Sequence, residues 1–494
     1  MQKTWHQRKS IRDLQLAGMI FALAFASAFA IVAVPSAEAQ TFATVHEFDD
    51  SDGSNSYAGL VQGTDGNLYG TTSEGGANDN SSCTGDAAGC GTVFKITPSG
   101  TLTTLYSFCS QANCIDGAEP IAGLIQASNG NFYGTTFTGG ANACLYGGCG
   151  TVFEITPAGK FATLHSFCSL PACADGGIPE AGLIQGTDGN LYGTTSGLQG
   201  TPGTIFKMSL SGKLTTIYTF DGTNGIQPTG TLIQASNGNF YGTTYGGDPY
   251  GTIFKMTPAG VVSTLYSFSL TDGLSPYAGL IQAANGLLYG TTVQGGAGTA
   301  CSFGCGTVFA INATTGSLTT LHSFNSTDGY GPFGGLVQGT DGNFYGTTSG
   351  GGTADNGTVF KISAGGTFAT LHSFEHSDGD EPYSSLLQST NGSFYGTTEF
   401  GGAHNGTIFS VGVGLGPFVT TQPASGKVGA AVKILGSNLT GAMSVTFNGV
   451  AATFTLASKT EITTTVPAGA ITGTVEVTIP KGTLKSNTKF RVAP

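Results

Sequence analysis

One hexapeptide decides most of what this chain can fold into. Asn-Leu-Tyr-Gly-Thr-Thr at 67–72 recurs, with small changes, at 131–136, 190–195, 239–244, 287–292, 343–348 and 393–398. Tyr69, Tyr133, Tyr192, Tyr241, Tyr289, Tyr345 and Tyr395 mark seven copies, 48 to 64 residues apart. A period near 50 residues, written in short apolar segments, points to propeller blades or a related array.

Each copy reads as four strands. Gly59-Leu60-Val61-Gln62 is a short apolar run that suits a buried strand. Asp65-Gly66 follows, matched by Asn129-Gly130, Asp188-Gly189, Asn237-Gly238, Asn285-Gly286, Asp341-Gly342 and Asn391-Gly392. Asx-Gly pairs of this kind predict a type I′ hairpin turn. Leu68 to Thr72 is the second strand, a Gly-Gly loop of variable length follows, and Gly91 to Ile96 alternates as a third. Leu102 to Phe108 is the fourth. Residues 41–48 resemble a fourth strand but precede the first copy, whereas the seventh copy stops after its third strand at Val411. The expected architecture is therefore all-β: a seven-bladed propeller with one-plus-three strand closure, which leaves no exposed edge.

The composition agrees. Of 494 residues 81 are glycine, and charged residues make up 9%, against a usual share of about 25%. Most of the glycines fall at repeated positions, so they write out a blade and not a disordered polymer. Glycine at this density opposes long helices, each costing about 1 kcal/mol relative to alanine. The net charge of −12 offers no basic footprint for nucleic acid.

The amino terminus carries an address. Lys3, Arg8, Lys9 and Arg12 precede an uncharged run from Leu16 to Val34, and Ala37-Glu38-Ala39 fits a signal-peptidase site. Residues 1–39 are expected to be a signal peptide, the alternative being an uncleaved anchor, because the apolar run is just long enough to span a bilayer. With the leader removed, no transmembrane segment is expected. The chain is expected outside the cell or at its surface, and as a monomer.

Ten cysteines pair by proximity. Cys83 with Cys90, Cys144 with Cys149, and Cys301 with Cys305 fall in the longest Gly-Gly loops; Cys109 with Cys114, and Cys168 with Cys173, fall in the two longest links between copies. An even count in an exported chain predicts disulfides. Zinc is the alternative, and two features oppose it: the pairs lie in different copies, and export favours oxidation. The expectation is no metal and no cofactor. Loops and links emerge on one face of a blade, so length variation and bracing both fall on that face, where binding commonly resides.

From Pro417 the pattern changes. Alternating segments around Val432, Val445, Ile462 and Val475 predict a small immunoglobulin-like β-sandwich. The expected domains are 1–39 leader, 40–411 propeller, 412–416 linker and 417–494 sandwich. No apolar carboxy-terminal anchor is read in the sequence.

Gly-Leu-Ile-Gln, Gly-Asn-Phe-Tyr-Gly-Thr-Thr, Gly-Thr-Val-Phe-Lys-Ile-Thr and Thr-Leu-Tyr-Ser-Phe, taken in order, resemble the bacterial GloVer tandem repeat over residues 41–411. The resemblance implies an exported protein. Many members carry a carboxy-terminal anchor, and this chain departs from them there. Ile-Leu-Gly-Ser-Asn-Leu and Val-Thr-Phe-Asn-Gly-Val resemble an IPT/TIG domain, which implies a spacer or interaction module. Neither resemblance brings catalytic residues.

Candidate ligand positions come from the links. Asp52, Asp116, Asp175, Asn224, Asp272, Asp328 and Asp378 take one repeated place. A carboxylate ring suits calcium or cationic groups, and Asp-Gly is equally a preferred turn pair. His46, His165, His322 and His372 exchange with Tyr106, Tyr218 and Tyr266 at one fourth-strand position, which fits packing better than catalysis. The expected function is a binding scaffold for an extracellular glycan or protein. The alternatives are a carbohydrate-active propeller enzyme, needing Glu119, Glu180, Asp248 or Glu399 to converge, and a purely structural envelope component.

Overall fold

A computed structural model describes residues 40–78, 83, 89–144, 147–198 and 201–493. The leader assigned to residues 1–39 lies outside them. Among the described residues the repeats form seven four-stranded antiparallel sheets, the arrangement of propeller blades. In the first sheet, Val61–Gln62, Leu68–Thr72, Thr92–Ile96 and Leu102–Ser107 pair in sequence order. In the last sheet the fourth place is taken by Thr41–Glu47, antiparallel to Thr407–Gly412. No helix among the described residues is long and apolar enough to cross a membrane.

After its half-buried Asn the hexapeptide is buried, and its residues are spent on two kinds of contact. Within a sheet, the glycine leaves room for the third-strand phenylalanine: a Cβ on Gly70 would lie 2.5 Å from Phe94 Cζ, and the same clash recurs between Gly396 and Phe409. The second threonine shares a hydrogen bond with the threonine that opens strand three, as in Thr72–Thr92 at 2.9 Å. Between sheets, the first threonine donates to a carbonyl ahead of the next sheet, as in Thr71 to Ala122 and Thr347 to Ser384. The tyrosine ring packs on the next copy, Tyr69 on Phe132 at 4.0 Å and Tyr345 on Phe394 at 4.1 Å.

The strand-one glutamine makes a second inter-sheet clasp. Gln126 Oε1 accepts from Thr64 N–H, Gln338 Oε1 from Ala284 N–H, and Gln388 Oε1 from Thr340 N–H. The series returns to its start, because Gln62 Oε1 accepts from Thr390 N–H at 3.0 Å. Two further contacts join the seventh sheet to the first: Phe48 meets Phe94 edge-on at 5.4 Å, and Thr397 donates to the carbonyl of Ala58.

The hairpin turn differs from the type I′ form expected. Only the glycine has positive φ, between 82° and 99°, while the Asp or Asn before it does not. Gly66 N–H closes on Gly63 O, and Gly63 N–H on Asn67 O, so the loop is a tight turn ending in a left-handed glycine. The Asx side chain sets this form. Asp65 accepts from Asn67 N–H and from the Tyr69 hydroxyl, and Asn391 engages Ser393 N–H and Tyr395 likewise.

The carboxy-terminal module has two four-stranded sheets around one core that includes Val419, Ile434, Phe447, Ile462, Val477 and Phe490. It meets the repeats on their short-turn face. Phe418 N–H donates to Thr390 O, Thr460 to Thr64 O, and Gln422 to Gln126 O. Beside these contacts a cleft of about 1130 Å³ opens between the glutamine turns and the module's Lys489 and Arg491.

Candidate functional site

Each link crosses to the next sheet through one residue in the left-handed region: Asn55, Glu119, Ile178, Gln227, Ser275, Gly331 and Glu381, with φ of 53° to 61°. The strain is held by backbone bonds on both sides. Glu381 N–H donates to Asn356 O of the preceding loop, and its carbonyl accepts from Glu399 N–H; Asn55 does the same with Asn405 and Ser73. All seven links carry this clamp, and the side chain it presents differs in every sheet except for the recurrence of Glu. Non-glycine residues in this region cost about 1–3 kcal/mol and concentrate at functional sites.

Two residues further on stand Tyr57, Tyr277, Phe333 and Tyr383, all half-buried. Their rings form a run: Tyr277 to Phe333 at 5.5 Å, Phe333 to Tyr383 at 4.9 Å, and Tyr383 to Tyr57 at 5.5 Å. Tyr245 extends it at 6.2 Å from Tyr277. Each tyrosine of the run donates to a carboxylate: Tyr57 to Glu399, Tyr383 to Glu381 at 2.8 Å, and Tyr277 to Glu180 at 3.3 Å. Burial first, and then these carboxylates, push the three phenols well above the ordinary tyrosine range. Burial likewise raises Glu180. Glu399 is 6% exposed. Burial, reinforced by the charges of Glu381, Glu74 and Asp380, lifts it to about 7 against the hydrogen bond from Tyr57. A cavity of about 300 Å³ lies against the run, lined by Tyr330, Phe333, Tyr383, Asp355, Glu381 and the Cys301–Cys305 pair.

The link aspartates stand elsewhere, at the fourth strands. Each meets the side chain of the exchangeable His or Tyr of its own link: His46–Asp52 at 2.8 Å, Tyr106–Asp116 at 2.7 Å, His165–Asp175 at 3.0 Å, Tyr218–Asn224 at 2.9 Å, Tyr266–Asp272 at 2.7 Å, His322–Asp328 at 3.1 Å and His372–Asp378 at 3.0 Å. Imidazole Nε2 and phenol oxygen reach the same partner, which is why the two residues interchange. Several also cap the link backbone, Asp175 accepting from Ser169 and Leu170 N–H. Burial would raise Asp175, but these hydrogen bonds outweigh it and hold the carboxyl below its ordinary value. His372 moves down, because burial outweighs the attraction of Asp378.

All ten cysteines are joined as the spacing suggested: Cys83–Cys90, Cys109–Cys114, Cys144–Cys149, Cys168–Cys173 and Cys301–Cys305. Their mutual placement was not foreseen. Loop and link pairs from different elements abut, with Cys83 and Cys109 sulfurs 3.7 Å apart and Cys144 and Cys168 the same. Of the carboxylates named from sequence, Glu180 and Glu399 join the aromatic run, whereas Asp248 bonds Ser267 away from it. The aromatic run itself was missed. Its one signal in the sequence is an aromatic residue just after the link proline, as in Pro276-Tyr277, Pro332-Phe333 and Pro382-Tyr383.

The profile of the Gloeobacter/Verrucomicrobia repeat matches residues 81–303 and again 248–453, most of the chain. The protein belongs to the Gloeobacter/Verrucomicrobia repeat family. An IPT/TIG domain matches residues 418–492. No curated protein matches this family member. Similar solved structures include a candidate 6-phosphogluconolactonase from Bacteroides fragilis, at 18% identity over 67% of this chain and 88% of that one, TM-score 0.45. Another is the extracellular domain of a candidate one-component system from B. thetaiotaomicron, at 14% identity over 92% of this chain and 58% of that one, TM-score 0.48.

Proposed function

We propose that this repeat protein is an exported glycan-binding scaffold: a closed seven-bladed ring with one-plus-three closure, bearing its ligand at the aromatic mouth of the braced face. Residues 1–39 direct export, 40–411 form the ring, 412–416 link it to the module, and 417–494 serve as an interaction module. The observation that carries the proposal is the run of half-buried aromatic rings backed by Glu180, Glu381 and Glu399. Sugar C–H faces pack on such rings, and carboxylates accept from sugar hydroxyls. A largely apolar pocket with a few convergent polar groups is the usual form of a ligand site. Five disulfides suit an extracellular setting. The His or Tyr partner on each of Asp52, Asp116, Asp175, Asn224, Asp272, Asp328 and Asp378 supports a turn-holding role for these seven over a calcium ring. Millimolar calcium is then expected to leave the melting temperature unchanged.

Binding to an array of plant, algal and microbial oligosaccharides tests the proposal. Selective retention of one class is expected, and loss of that retention in Tyr383→Ala. One observation favours a second reading: Glu399, held near 7 beside Glu381, has the protonation a general acid needs. Release of shortened sugars from a retained oligosaccharide would move the protein from scaffold to carbohydrate-active enzyme.

A further inference from the structure

The seventh copy has a short link and a short loop, both without cysteine, and two histidines meet there. Its link, Glu375 to Asp380, and its loop, Phe400 to Gly406, are pinned by their backbones. Asp380 and Phe400 exchange both N–H···O bonds at 2.9 and 3.1 Å, and Gly402 N–H donates to His376 O at 2.9 Å. On this frame His376 Nδ1 faces Asp380 Oδ2 at 3.1 Å, and His376 Nε2 faces His404 Nδ1 at 3.3 Å. A carboxylate beside Nδ1 holds the proton there and leaves the Nε2 lone pair free. Two nitrogens bound to a tetrahedral zinc at about 2.0–2.1 Å lie about 3.3–3.4 Å apart, which is the separation already present. A carboxylate behind the other ring nitrogen is the usual support of a metal-bound histidine.

The pair lies next to the mouth in the sequence, Asp380 adjoining Glu381 and Phe400 adjoining Glu399. Both histidines are reachable, His376 at 51% exposure and His404 exposed on its loop. We propose that His376 Nε2 and His404 Nδ1 hold a divalent transition metal of the zinc class, with Asp380 as the positioning residue and water in the open positions. Binding asks only that neutral His404 carry its proton on Nε2. The site departs from the expectation of no metal, and it stands whether or not the mouth binds a glycan.

The experiment is a calorimetric titration of the untagged, metal-stripped protein with zinc chloride alone, repeated with cobalt(II) to read its visible absorption. One metal per chain is expected, with tetrahedral cobalt bands. Asp380→Asn keeps both ligands and is expected to weaken binding by about 10–100-fold. His376→Gln and His404→Asn should each weaken it by at least about tenfold; Asn is chosen because it tolerates the φ of 91° at His404. Melting curves without metal establish that the variants are folded. Absence of zinc uptake at millimolar concentration would overturn the proposal. So would equal affinity in the parent, His376→Gln and His404→Asn.

Discussion

The same seven copies build two faces that obey different rules. On the short-turn face every copy repeats its chemistry: Asx holds the hairpin, tyrosine holds Asx, and glutamine reaches the neighbouring sheet. The carboxy-terminal module rests there, on Thr64, Gln126 and Thr390. On the braced face the backbone clamp repeats, but the side chains at 55, 119, 178, 227, 275, 331 and 381 do not. A residue is copied where its partner is another copy. At the seven clamp positions only the backbone is copied, and the side chain varies from sheet to sheet.

If the ring is closed as proposed, the junction of the last sheet with the first should behave like any other. Phe48 packs on Phe94 of the first sheet as Phe374 packs on Phe409 of the seventh. Phe48→Ala and Phe374→Ala are each expected to cost about 3–5 kcal/mol in chemical denaturation. A small loss in Phe48→Ala alone would mean an open array. Next in size are the clasps: Gln62→Ala should cost about 1–3 kcal/mol, since it leaves the buried Thr390 N–H without its acceptor, and Gln338→Ala should cost less, because water can replace the acceptor at exposed Ala284. On the braced face the expected effects are smaller. Replacing Cys301 and Cys305 together by serine closes one loop fewer, across a separation of 4 residues. The loss should stay below about 3 kcal/mol, with the rest of the fold intact by circular dichroism.

A pH dependence is also expected. Glu399 sits at about 7 in the folded chain against an ordinary value of 4.5. Its contribution to stability is present below pH 4.5 and is lost as pH rises through about 7. Glu399→Gln should therefore flatten the melting temperature across that window and leave the protein more stable than the parent at pH 8. A parent and variant with parallel pH profiles would remove Glu399 from the buried set.

The sequence showed the period, the strands and the orphan fourth strand at 41–48, because each repeats or fails to repeat in register. Cysteine pairing was legible through proximity. Other features were not, for physical reasons. Gln62 and its equivalents recur visibly, yet their acceptor role depends on a turn about 50 residues away. Asp65-Gly66 suggested a type I′ turn because the pair alone was weighed; the bond from Gly63 N–H to Asn67 O makes the loop longer. The exchange of His46 with Tyr106 pointed to packing, and the shared partner in the link explains it more directly. Tyr57, Phe333 and Tyr383 are not legible as a set because their position changes residue from copy to copy and carries no repeat signal.

In the function proposed above, the ligand sits at the braced mouth and the opposite face is structural. The direct measurement is oligosaccharide-array binding by three proteins: the parent, Tyr383→Ala, and Lys489→Ala with Arg491→Ala on the module side of the turn-face cleft. The parent and the module-side variant are expected to retain the same glycan class, and Tyr383→Ala to lose it. Retention by Tyr383→Ala with loss in the module-side variant would contradict the proposal and move the site to the cleft of about 1130 Å³.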